Sequence, residues 1–192
     1  MSMRDSFGNV SLPVCVCGLL TFALAAGPTP RLAAQTDVPV VEARMVLATD
    51  AVHPGSAAQA AVVAQIASGY HINDHKPSLD YLIPTELKLE PDKPVELTKI
   101  DYPKGELVKL AFSDTPLSVY QGKIVLGVTL KVAPATVPGS YTVKGKFAYQ
   151  ACNDHACFPP TSVPVTLDVK VVGRDVAVKR VNTDVFNPSA SK

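Results

Sequence analysis

Apolar and polar residues alternate with a period of two along most of this chain, the spacing at which side chains share one face of a β-strand. Val41, Ala43, Met45 and Leu47 form the first such face. After the turn His53-Pro54-Gly55-Ser56, the stretch from Ala58 to Ala67 is rich in alanine, which favours helix. Its Ala60, Val62, Ala64 and Ile66 nevertheless alternate with Ala61, Val63 and Gln65, and this predicts a strand. Ile124, Leu126, Val128, Leu130 and Val132 face one way and Lys123, Thr129 and Lys131 the other, a half-buried strand. Beyond a turn region from Pro134 to Ser140, Tyr141, Val143, Phe147 and Tyr149 oppose Thr142, Lys144, Lys146 and Gln150. Val163, Val165, Leu167, Val169 and Val171 repeat the pattern. Shorter strands are predicted over Glu86–Leu89, Val95–Ile100, Leu107–Phe112 and around Val119, each bounded by proline, glycine or aspartate. Many short, punctuated strands without a capped helical period predict an all-β sandwich.

The N-terminus breaks this pattern. A charge-free stretch from Ser6 to Pro30 follows Arg4, with an apolar centre from Val14 to Ala26 that is shorter than the roughly 20 residues a membrane-spanning helix needs. Small residues at Ala23-Leu24-Ala25 and Ala25-Ala26-Gly27 suit cleavage, so 1–26 is read as a secretory signal peptide. A lipid anchor at Cys15 or Cys17 is a competing reading, but valine precedes each of them. An uncleaved signal anchor is another, because the n-region pairs its arginine with an aspartate. Residues 27–38 read as a flexible lead-in, 39–173 as the sandwich domain, and 174–192 as a polar, partly disordered tail.

Composition sets bounds. The 192 residues carry a formal net charge of +1, which speaks against nucleic acid as a partner. With the leader removed, roughly 160 residues remain, enough for one domain with a proper core and a monomeric fold. In an exported chain the cysteines left are the even pair Cys152 and Cys157, in an oxidising space. No phosphate loop, serine triad or paired-carboxylate hydrolase site is recognisable, and no cofactor motif is present.

Cys152 and Cys157 lie in Tyr149-Gln-Ala-Cys-Asn-Asp-His-Ala-Cys-Phe-Pro-Pro160, between two strand patterns. The spacing is not the Cys-x-x-Cys of a thioredoxin-like fold. Sulfurs this close can close a small, labile disulfide suited to thiol exchange. Exchange needs a reachable thiolate, and Cys152 is the attacking candidate, with the Tyr149 phenol and Gln150 amide as hydrogen-bond donors to it. Asn153 and Asp154 favour a turn. Asp154 is also a candidate proton acceptor, and protonated His155 a candidate thiolate stabiliser. Three other readings stay open. The pair is a permanent staple; or Cys152, His155 and Cys157, approached by His71 and His75, bind Cu(I) or zinc; or the sandwich is a non-redox assembly module. Tyr70, Tyr81, Tyr102, Phe112 and Tyr120 read as core or rim aromatics, and His71, Asn73 and His75 as part of a surface that meets a partner, because the segment next to Gly69 is rich in polar side chains.

Two stretches resemble the N-terminal periplasmic domain of the thiol:disulfide interchange protein DsbD. One is Tyr149-Gln-Ala-Cys152 through Cys157-Phe-Pro-Pro160, and the other is Gly69-Tyr-His-Ile-Asn-Asp-His-Lys-Pro77 with Tyr81-Leu-Ile-Pro-Thr-Glu86. The resemblance spans roughly residues 40 to 172. It implies an immunoglobulin-like module, periplasmic, with protein-disulfide reductase-type electron transfer through Cys152 and Cys157 and Phe158 among the supporting residues. A membrane thiol reductase or thioredoxin-like protein is the implied donor. The implied acceptors are exported thiol-handling proteins, such as disulfide isomerases or those of cytochrome c maturation. This chain encloses four residues between its cysteines where the best-known members enclose five. Those members continue into membrane and thioredoxin-like domains, so another polypeptide is expected to supply the electrons here. The family's aromatic capping loop has only a positional counterpart, Tyr70 to Tyr81.

Overall fold

The alternating segments fold as strands in the computed structural model, which describes residues 39–111 and 113–187. In chain order these are β1 (Val41–Leu47), β2 (Ala57–Ile66), β3 (His71–Asn73), β4 (Glu86–Pro91), β5 (Val95–Asp101) and β6 (Glu106–Val108). They continue with β7 (Leu117–Tyr120), β8 (Lys123–Val132), β9 (Gly139–Tyr149), β10 (Ala151–Cys152), β11 (Thr161–Val171) and a single helical turn, α1 (Thr183–Phe186). The leader, Cys15 and Cys17, the lead-in up to residue 38, Phe112 and the last five residues lie outside the described residues.

Three antiparallel sheets result, in the orders β1-β2-β8-β5, β11-β9-β4 and β10-β3-β7-β6. The first two face each other across the main core, an immunoglobulin-like sandwich. One side supplies Ala60, Val62, Ala64, Leu126, Val128 and Leu130, and the other Leu87, Val143, Phe147, Val165, Leu167 and Val169. Each large side chain buried here contributes about 1.5–3 kcal/mol of hydrophobic stabilisation.

β2 shows why alanine did not make a helix. Its second alternation, Ala61 and Val63, is also buried, in a separate cluster with Val46 and Val185. Small side chains let that strand be covered on both faces, and tertiary packing outweighs helix propensity. The covering element comes from the tail: Val181 N–H donates to the Ala48 carbonyl at 2.9 Å, and the Asn182 amide to the Leu47 carbonyl at 2.8 Å. Residues 174–187 thus run back along the end of β1 and bring Val185 onto the sheet.

One strand is shorter than expected. β6 stops at Val108 rather than continuing through the predicted 107–112. The Lys109 ammonium donates to the carbonyls of Ser113 and Asp114, and Ser113 N–H closes a turn onto the Leu110 carbonyl at 3.1 Å. Leu110 meanwhile turns into a small core with Leu82, Leu117 and Val119.

What positions the cysteines is a change of sheet within one run of chain. β9 pairs with β4 and β11 as far as Tyr149; after Gln150 the chain continues as β10, which pairs instead with β3. Gln150 stands at the switch.

Candidate functional site

Cys152 and Cys157 are joined in a disulfide, with Cα atoms 3.9 Å apart. Between them the chain reverses in a turn built by Asn153. Its Oδ1 accepts the N–H groups of His155 and Ala156, both at 2.9 Å, and its own N–H donates to the Ala156 carbonyl at 3.0 Å. The expected turn is therefore formed by the Asn153 side chain. Phe158 N–H then donates to the Ala151 carbonyl at 2.8 Å, closing a narrow two-stranded ladder around the sulfurs.

The two cysteines are unequally placed. Cys152 is 1% exposed, whereas Cys157 is on the surface with Asp154, His155 and Ala156. Cys152, the attacking candidate from the sequence, is thus the buried sulfur, and Cys157 is the one that faces solvent. Tyr81, Leu82, Gln150, His155, Ala156 and Cys157 line an open recess of about 310 Å³. Tyr81, on the loop between β3 and β4, is 75% exposed at its edge. On the far side of the ladder Phe158 rests against Tyr70, ring centroids 5.9 Å apart.

Of the expected thiolate donors, Tyr149 is turned away. It lies in the main core with Phe147 and Ala151, and burial pushes its phenol up while the Val41 backbone, to which it is hydrogen-bonded, pulls it down. By strand alternation Gln150 and Cys152 share the opposite face. The Gln150 amide is already occupied: Oε1 accepts from Asn73 Nδ2 at 3.1 Å and Ile83 N–H at 3.3 Å, and Nε2 donates to the Phe158 carbonyl at 3.2 Å. It ties the cysteine ladder to β3 and to the Tyr81 loop.

The four residues expected to form a partner or cap surface separate. Tyr70 flanks the ladder. Asn73, 1% exposed, is a structural clamp whose Nδ2 also donates to the Ile83 carbonyl at 2.9 Å. His71, 3% exposed, is the register partner of Cys152, and its Nε2 has no hydrogen-bond partner among the described residues. Burial lowers its pKa, with Asp154 acting in the opposite sense. Both residues are removed from the surface because β3 is an inner strand of its sheet. His75 sits elsewhere, stacked on Tyr102 with centroids 3.6 Å apart and donating from Nδ1 to the Thr85 carbonyl at 3.0 Å. Among the described residues no three His, Cys, Asp or Glu side chains converge as a metal site would require, and no helix is long and apolar enough to cross a membrane.

Beside this geometry stand the relatives. The family model described as thiol:disulfide interchange protein DsbD, N-terminal, matches residues 38–168. No curated protein matches the chain. Among solved structures, the reduced DsbD N-terminal domain of Neisseria meningitidis is similar at 19% identity, covering 71% of this chain and 89% of that one, with a TM-score of 0.38. The N-terminal periplasmic domain of ScsB from Proteus mirabilis is similar at 14% identity over 70% of this chain and 48% of that one, with a TM-score of 0.48. A complex between the DsbD and PilB N-terminal domains of Neisseria meningitidis matches at 19% identity, covering 62% of this chain and 79% of that one, with a TM-score of 0.34.

Proposed function

This chain belongs to the family of the N-terminal domain of thiol:disulfide interchange protein DsbD, and from that membership we propose that it is an exported, periplasmic carrier of reducing equivalents. Its working part is the Cys152–Cys157 pair, cycling between disulfide and dithiol. The observation that carries the reading is the asymmetry of the two sulfurs, one buried on β10 and one exposed beside an open recess.

The chemistry follows from that asymmetry. A donor thiolate approaches Cys157 Sγ in line with the disulfide, forms a mixed disulfide, and expels Cys152 as a thiolate that takes up a proton. A second donor thiol then attacks the donor's own sulfur in the mixed disulfide and releases Cys157. The domain leaves with two electrons and two protons. Delivery is the reverse: the Cys157 thiolate attacks an acceptor disulfide, and Cys152 resolves the mixed disulfide. The donor we infer is a thioredoxin-like protein or a membrane thiol reductase; the acceptors are exported disulfide isomerases or thiol-handling proteins of cytochrome c maturation.

Titration of the protein in glutathione buffers, with free thiols counted by mass spectrometry, tests the reading. A reversible two-thiol transition with a potential above about −300 mV is expected, and one well below that value would make the bridge an inert staple.

A further inference from the structure

A buried polar atom without a partner needs an explanation, and His71 Nε2 is one, in a side chain 3% exposed. Its position suggests the reason. His71 and Cys152 are directly opposed across the β3–β10 pair, so their side chains lie on the same face with Cβ atoms about 4.5–5.5 Å apart. With the sulfurs bonded to each other, Cys152 has no proton to offer, and Nε2 stands without a hydrogen-bond partner among the described residues.

Resting on the exchange reading above, we propose that His71 is the proton acceptor for the Cys152 thiol when that buried sulfur resolves the mixed disulfide formed at Cys157. The step balances as follows. Nε2 takes the Cys152 S–H proton, the resulting thiolate attacks Cys157 Sγ, the Cys152–Cys157 bond forms, and the bond from Cys157 to the partner's sulfur breaks. The partner departs as a thiolate and is protonated by solvent.

A buried thiol needs such help, because removal from water disfavours its ionised form. Solvent bases do not reach it. Burial also favours the neutral, accepting form of His71, while Asp154, exposed on the turn, supplies the negative charge that acts on it and eases formation of the imidazolium. A base opposite the nucleophile across a strand pair is the arrangement an activated nucleophile requires.

The test is the lifetime of the mixed disulfide between Cys157 and glutathione. The reduced protein is mixed with excess oxidised glutathione, quenched in acid at intervals, and weighed. Wild type and His71→Gln are expected to form the adduct at equal rates, because Cys157 is exposed. Ring closure in His71→Gln should be about 100-fold slower at neutral pH, with the deficit shrinking as alkali ionises the thiol directly. Closure within twofold of wild type across the pH range would overturn the proposal while leaving exchange intact. If wild type forms no adduct, or forms one that never closes, the exchange reading fails and this one with it. Should His71→Gln not fold, the wild-type closure rate decides. An acid limb whose midpoint matches the His71 imidazole titration seen by NMR supports the proposal, and a rate that rises with pH without any break there overturns it.

Discussion

Asn73 holds Gln150 by a 3.1 Å hydrogen bond from its Nδ2 to the glutamine Oε1, joining β3 to the residue at which the chain changes sheet. Through Gln150 the same contact reaches the Phe158 carbonyl and the Ile83 N–H, so one amide pair, buried at Asn73 and half-buried at Gln150, ties both walls around the disulfide. Asn73→Ala removes one of the two donors to the half-buried Gln150 Oε1 and the tie from buried Asn73 to the Ile83 carbonyl. It is expected to cost about 1–3 kcal/mol, read as a fall in the urea midpoint at unchanged slope. A cost near zero would mean that the clamp does not hold the ladder.

The disulfide closes a ring of only six residues, Cys152 to Cys157. In the chain-entropy model this stabilises the fold by roughly 2 kcal/mol, far less than the core supplies. The protein treated with a phosphine reductant is expected to remain folded and to unfold cooperatively at a modestly lower temperature. Loss of the transition on reduction would make the bridge a staple, incompatible with a cycling carrier.

Tyr81 lines the recess but touches little, being 75% exposed. Tyr81→Ala should therefore leave stability within about 0.5 kcal/mol of wild type. By opening the approach to Cys157, it is expected to speed reduction by dithiothreitol by about threefold or more. An unchanged rate would remove this ring from any shielding role.

Acid stability should depend on Asp74. Burial alone raises its pKa, but the hydroxyls of Tyr120 and Ser118, at 2.6 and 2.7 Å, and the N–H groups of Lys76 and His75 all donate to the carboxylate and carry it below the ordinary value. A depressed folded pKa means stabilisation that is present above the unfolded value of 3.8 and lost as pH falls through the lower folded value. Asp74→Asn is expected to be less stable than wild type by about 1 kcal/mol at neutral pH, after allowance for solvent screening. The gap should close below pH 3.8 in thermal unfolding scans.

Much of the scaffold was readable beforehand because its long strands are buried on one face. Ile124 to Val132 and Val163 to Val171 alternate cleanly and form β8 and β11. β3 and β10, of three and two residues, are too short to show a period, yet they carry His71 and Cys152. The predicted strand over 107–112 overshot because an apolar run does not reveal that the chain leaves the strand after Val108 and turns Leu110 inward onto Leu82, Leu117 and Val119. At the site, the cysteine pair and the Asn153 turn were local and legible. Which sulfur faces solvent was not, because it depends on pairing between residues 81 positions apart, as for His71 and Cys152. Tyr149 illustrates the same limit: its place next to the cysteines in sequence suggested a donor, and alternation turned it into the core.

The central claim is that exchange enters through Cys157. It is tested most directly by incubating the protein as two single variants, Cys152→Ser and Cys157→Ser, with oxidised glutathione and weighing the products. Cys152→Ser, which keeps the exposed sulfur, is expected to accumulate a stable one-glutathione adduct quickly, and Cys157→Ser, which keeps the buried one, to react far more slowly. Equal reactivity of the two, or no adduct in Cys152→Ser, would contradict the account.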